Sequence, residues 1–227
     1  MKFIKISLPV AGFLSIFLAS CTQFKESIDY MHLGLVEPIA AKTYVFECSD
    51  KFTFTASIGD NQARILYPEQ SITLAHAFTL FGQKFNAKQT TLWLEKGIAK
   101  LEISSVIHEN CHNNKAKATW EDAKLNGVDF RAVGTQSSWI LEIVKGKNII
   151  FADFFGKINK YLFSISEPVI DEASRSTVYK TSNDEHTLLV KILGTSCQDI
   201  ISGETFEFTV TVKLDGKLFK GCGRSLL

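Results

Sequence analysis

Alternation of apolar and polar residues at every second position, interrupted every few residues by a turn signal, constrains this chain more than any other feature. Its clearest instance runs over 206–214. Phe206, Phe208, Val210, Val212 and Leu214 fall on one face there, and Glu207, Thr209, Thr211 and Lys213 on the other. A side-chain period of two belongs to a half-buried strand. Asp215-Gly216 then suits a type I′ turn into a further strand over 217–220. Near the start, Tyr44, Phe46, Phe52 and Phe54 repeat the pattern as a hairpin turning at Ser49-Asp50. Breaks at Gly59-Asp60-Asn61, Pro68-Glu69 and Lys96-Gly97 bound strands predicted over 63–67, 71–78, 91–95 and 99–107. Later strands are predicted over 130–134, 139–144, 149–155, 161–165, 177–179 and 188–193. No helix-period segment of useful length follows the N-terminal region. The expected fold is all-β, as two small antiparallel barrel or sandwich domains.

The division between the two is compositional. Over 113–127 Asn, Ala and Lys replace aromatic and β-branched residues around a lone Trp120, so this stretch reads as a linker with room for a helical turn. It separates a first domain over 42–112 from a second over 128–227. With 45% hydrophobic residues and 18 Phe, both have material for a buried core. The formal net charge is +1, and the chain is close to neutral once Lys2 and Lys5 are set aside. That balance points away from nucleic acid as a partner.

The first 20 residues are an export signal and no part of the fold. Lys2 and Lys5 precede an apolar run over 6–17, and Leu18-Ala19-Ser20-Cys21 closes it. The run is shorter than the roughly 20 apolar residues a bilayer span needs. The pattern resembles a bacterial lipoprotein signal, which implies that Cys21 becomes the first mature residue and carries the lipid, with palmitate among its acyl chains. Residues 21–41 then form a tether to the membrane. An ordinary cleaved signal or an uncleaved anchor is the competing reading. Thr22 is not the aspartate that commonly retains lipoproteins in the inner membrane, which favours an outer-membrane anchor facing the periplasm.

Cysteine usage fits that compartment. Cys48, Cys111, Cys197 and Cys222 remain after Cys21, an even number in a chain bound for an oxidising space. Of the three possible pairings, Cys48 with Cys111 and Cys197 with Cys222 respects the two domains. None of the four lies in a C-x-x-C pair, so zinc is not expected.

Catalytic motifs are missing from the sequence. There is no G-x-S-x-G elbow, no H-E-x-x-H and no Gly-rich phosphate loop after a strand. His108 and His112 would share a face only on a helix, and they sit in a strand-and-loop pattern. Glu121-Asp122 and Asp171-Glu172 read as solvated charge. The expectation is a non-enzyme without metal or cofactor.

The first domain has a family likeness. Tyr44-x-Phe46-x-Cys48, Phe52-x-Phe54, Ala63-Arg64-Ile65, Leu92-Trp93 with Lys96-Gly97, and a closing Cys111 resemble the membrane-bound inhibitors of C-type lysozyme over residues 42–112. The resemblance implies a small disulfide-clipped β-barrel on an envelope lipoprotein, with a C-type lysozyme as partner. It also implies that a Ser-Gly-x-x-Tyr loop and the lysine of a Trp-x-Lys-Gly motif enter the enzyme's cleft. A glycosidase cleft holds two carboxyl groups, which a lysine ammonium blocks. Here Lys96 and Gly97 are present with one extra residue after Trp93, and Gly82 and Phe85 take the positions of the Gly and Tyr. Phe81 replaces the serine, so a hydroxyl able to hydrogen-bond a carboxylate gives way to a ring that cannot.

The second domain resembles an all-β envelope domain of uncharacterised function. The likeness rests on residues 130–135, Trp139-x-Leu141-Glu142-Ile143, Cys197-x-Asp199-x-x-Ser202-Gly203 and Gly221-Cys222-Gly223-Arg224. Gln136-Ser137 stand where that family usually has Glu-Pro. Asp199, Ser202 and Arg224 are expected around the disulfide, where polar groups more often brace a loop than bind a ligand. Exposed aromatics, Phe81 and Trp120, are the expected contacts if the protein binds something other than lysozyme.

Overall fold

The computed structural model describes residues 41–68, 70–134, 138–200 and 202–227. The expected signal and lipidation site at Cys21 lie outside the described residues, as do Thr135, Gln136 and Ser137. Eight antiparallel strands close into a barrel: β1 (Lys42–Glu47), β2 (Thr53–Ile58), β3 (Gln62–Tyr67), β4 (Gln70–Ala77), β5 (Gln83–Ala87), β6 (Thr90–Glu95), β7 (Ile98–Ile103) and β8 (Val106–Asn113). The alternating residues Phe46, Phe54, Ala56, Ile65, Leu74, Phe85, Leu92 and Leu101 fill its interior.

Within the barrel, one predicted strand is split and one further strand appears. The strand predicted over 99–107 is split by a tight turn at Ser104 and Ser105, both with positive φ. Non-glycine residues seldom adopt that conformation, so the residue types carry little warning of it. Strand β5 was also unexpected, because Phe85 is its only large apolar residue.

Helix α1 (Lys115–Leu125) occupies the expected linker. Asn114 caps its start, its side chain accepting from the Lys117 N–H at 3.1 Å. At its end Val128 N–H donates to Ala123 O and Gly127 N–H to Lys124 O, with Gly127 at φ +80°. That is a Schellman ending, closed by apolar contact between Ala123 and Val128. The helix packs on β1, where Lys117 Nζ meets Glu47 Oε1 at 2.7 Å.

The remaining chain forms a nine-stranded antiparallel sheet. Its strands are β9 (Phe130–Gly134), β10 (Trp139–Val144), β11 (Asn148–Asp153), β12 (Asn159–Ser164), β13 (Val169–Asp171), β14 (Ser176–Ser182), β15 (Thr187–Leu193), β18 (Phe208–Leu214) and β19 (Lys217–Ser225). Their order is β12-β11-β10-β9-β19-β18-β15-β14-β13. Between β15 and β18, β16 (Cys197–Gln198) and β17 (Thr205–Phe206) pair separately. The predicted hairpin is present, with Leu214 opposite Lys217 and positive φ at Asp215 and Gly216. Of the predicted strand 206–214, Phe206 joins β17 and Glu207 forms a bend before β18. Trp139, Leu141, Phe151, Phe163, Val190, Val210 and Val212 are in the second core. Among the described residues the fold is all-β apart from α1, with both expected disulfides, Cys48–Cys111 and Cys197–Cys222.

Candidate functional site

In an up-and-down barrel alternate connections share an end. The β2–β3 turn, the β4–β5 loop and the β6–β7 turn therefore lie together, at the end where β1 begins. Contacts tie them: Asn61 O accepts from His76 N–H at 2.9 Å, and Gly59 packs against Ala41.

Gly82 fixes the β4–β5 loop against β6. Its φ is +68°, and a Cβ built on it would lie 2.1 Å from Leu94 O, so only glycine fits. This approach brings Phe81 beside the β6–β7 turn. In that turn Glu95 faces Ile98 across two residues, Lys96 and Gly97, with φ +51° and +83°. The Lys96 side chain is 88% exposed, and the carboxylate of Glu95 stands 3.9 Å from its Nζ. The loop adds Phe78, Leu80 and Phe81, respectively 86%, 81% and 77% exposed.

Phe85 is a correction to the expected contact set. Its ring is fully buried in the barrel and meets the His76 ring edge-on at 5.4 Å. Strand alternation turns it inward, so it presents no surface to a partner and instead supports the loop from beneath. Beside the turn, a groove of about 590 Å³ runs over the outer barrel wall past Trp93, Lys96, Lys100 and Glu109. Lys84 and Lys100 approach the Trp93 ring at 5.0 and 5.8 Å, and Lys100 pairs with Glu109 at 2.7 Å.

No protein family, curated protein or solved structure matches this chain.

His108 and His112 do not converge. Four residues along a strand span about 13 Å. His108 is buried, stacked on Phe52 at 3.7 Å and 2.6 Å from Asp50 Oδ2. This bond first, then the Phe52 N–H, holds the Asp50 carboxyl below its ordinary value. His112 is exposed. Asp171 is likewise lowered, by the Ser174 hydroxyl and N–H, and braces its own turn.

Around the second disulfide the polar residues brace a loop. Asp199 accepts from the Ser202 hydroxyl at 2.6 Å and its N–H at 3.0 Å, while Arg224 pairs with Glu204. Trp120 is a second correction: it is not a free exposed aromatic. Arg131 and Arg224 lie over its ring at 5.5 and 4.8 Å, and Phe206 packs at 5.4 Å. Arg131 also pairs with Glu142, and burial pulls its guanidinium below the ordinary value. Sequence spacing carries no sign of this cluster, because helix, sheet and hairpin each contribute a part. It clamps α1 to the sheet.

Proposed function

We propose that this chain is a lipid-anchored envelope protein that inhibits a C-type lysozyme with one end of its barrel, and is itself no enzyme. The single observation that supports the reading is the packing of Gly82 under Leu94, which sets the Phe81 loop beside Lys96. Lys96 projects from a hairpin tip, where its ion-pair partner among the described residues is the neighbouring Glu95. An ammonium so presented suits a cleft whose acid and nucleophile are both carboxyl groups. Phe81 supplies apolar contact where the family uses a hydroxyl, and Gly82 and Gly97 give the backbone shape. Phe85 acts from within the barrel. The anchor is the lipid on Cys21, in the outer membrane and facing the periplasm.

The test is lytic activity of a C-type lysozyme titrated with the unlipidated mature chain and with Lys96→Ala. Loss of a charged hydrogen bond weakens binding about 10- to 100-fold, and Lys96→Ala leaves the melting temperature unchanged because the side chain is exposed. Lysozyme activity unaffected by micromolar parent protein overturns the reading. A binding lipoprotein without lysozyme inhibition is the other reading, and the groove beside Trp93 favours it.

A further inference from the structure

We propose that the β4–β5 loop is a membrane-seating tip, with Phe78, Leu80 and Phe81 entering the interfacial layer of the bilayer to which the chain is anchored. This rests on the lipid-anchor part of the reading above and not on lysozyme inhibition. Three large apolar side chains within four residues stand almost fully in solvent at one barrel end. Soluble proteins seldom leave such a cluster uncovered without a use for it. Phenylalanine and leucine beside lysine are the side chains that partition into a headgroup boundary.

Where the chain begins its fold indicates the occupant. Ala41 packs on Gly59 in the β2–β3 turn, and Asn61 of that turn is bonded to His76, just before the loop. The residues that follow Cys21 therefore join the barrel at the end that carries the apolar tip, so an anchor at Cys21 draws that end toward lipid. Charge at this end is mixed: Lys42 and Lys96 are cationic, Asp60 and Glu95 anionic, all exposed. Apolar insertion, not electrostatic attraction, has to supply most of the binding. Twenty residues can reach at most about 70 Å, a length that also permits the barrel to lift away. Lipid and a lysozyme cleft then compete for one tip.

The experiment is co-sedimentation of the mature chain carrying Cys21→Ser with vesicles of phosphatidylethanolamine and phosphatidylglycerol. Burial of one such side chain is worth about tenfold in partitioning. The triple variant Phe78→Ser, Leu80→Ser, Phe81→Ser is expected to lose at least about tenfold while keeping the parent's melting temperature. The pair Ile158→Ser and Leu162→Ser, exposed apolar positions just before and within β12, is expected to bind as the parent does. Parent protein left in the supernatant overturns the proposal. So does undiminished binding by the triple variant, or equal loss in the sheet pair. Lysozyme titration without vesicles is a separate readout, so either idea can fail while the other stands.

Discussion

The barrel and the nine-stranded sheet solve the same edge problem in different ways. In the barrel, β1 meets β8 through only Phe46 opposite Asn113 and Glu47 opposite His112. Cys48–Cys111 continues that register by one position, and Asn114 N–H to Val45 O at 2.7 Å extends it in the other direction. A short backbone seam is thus stapled covalently. The sheet curls until β12 approaches β14 without forming a ladder. Thr181 Oγ1 donates to Ser164 O at 2.7 Å and Asn183 Nδ2 to Leu162 O at 3.2 Å. Side chains there blunt an edge that would otherwise recruit another strand. Its disulfide joins β16 to β19 and closes no seam. Closure by few backbone bonds relies on a crosslink, whereas an open edge can be managed one carbonyl at a time.

The largest expected effects come from the two cores. Phe85→Ala in the barrel and Phe151→Ala in the sheet should each cost about 3–5 kcal/mol in denaturant unfolding, as buried aromatic truncations do. Phe81→Ala should stay within about 0.5 kcal/mol. If Phe85→Ala were equally mild, the distinction between supporting ring and exposed tip would collapse.

Next in size are the crosslinks. The Cys48–Cys111 loop spans 63 residues and the Cys197–Cys222 loop 25. Replacing each pair by alanines should cost about 4 and about 3 kcal/mol respectively. The staple account is sharpened if hydrogen exchange then rises first along β1 and β8. Smaller again, Thr181→Val with Asn183→Ala should cost about 1–2 kcal/mol. Concentration-dependent association, read by light scattering, is expected with it as β12 loses its caps.

Acid gives the smallest effect and the same sign in both regions. Hydrogen bonds lower the carboxyls of Asp50, from His108 and then the Phe52 N–H, and of Asp215, from the Thr187 N–H and then His186. A lowered folded value stabilises above the unfolded carboxylate value of about 3.9, and the gain disappears as pH falls through the folded value. Asp50→Asn and Asp215→Asn should therefore melt below the parent at neutral pH and converge on it in strong acid. A gap that widened in acid would refute the assignment.

Much of the fold was legible because strand alternation is local. Val210, Val212 and Leu214 turn inward as their spacing requires, and Asp215-Gly216 adopts the positive φ angles its residues favour. Helix α1 was not, because its only apolar residues are Ala116, Ala118, Trp120, Ala123 and Leu125. Asn114 and Asn126-Gly127 were its available punctuation. Gly82, Lys96 and Gly97 could be grouped from the family likeness, but not the approach of Gly82 to Leu94, and nothing in the spacing around Phe85 told a core ring from a surface one.

By itself the sequence determined the class of fold and the turns at Lys96-Gly97 and Asp215-Gly216, since these depend on neighbouring residues, and its compositional break over 113–127 pointed to the pairing of cysteines. Tertiary structure alone decided that β1–β8 closes while β12–β14 does not, that Trp120 lies under two arginines, and that Gly82 of the β4–β5 loop packs against Leu94 of β6. Each of those depends on which distant strands run side by side, and no local pattern of residues encodes that.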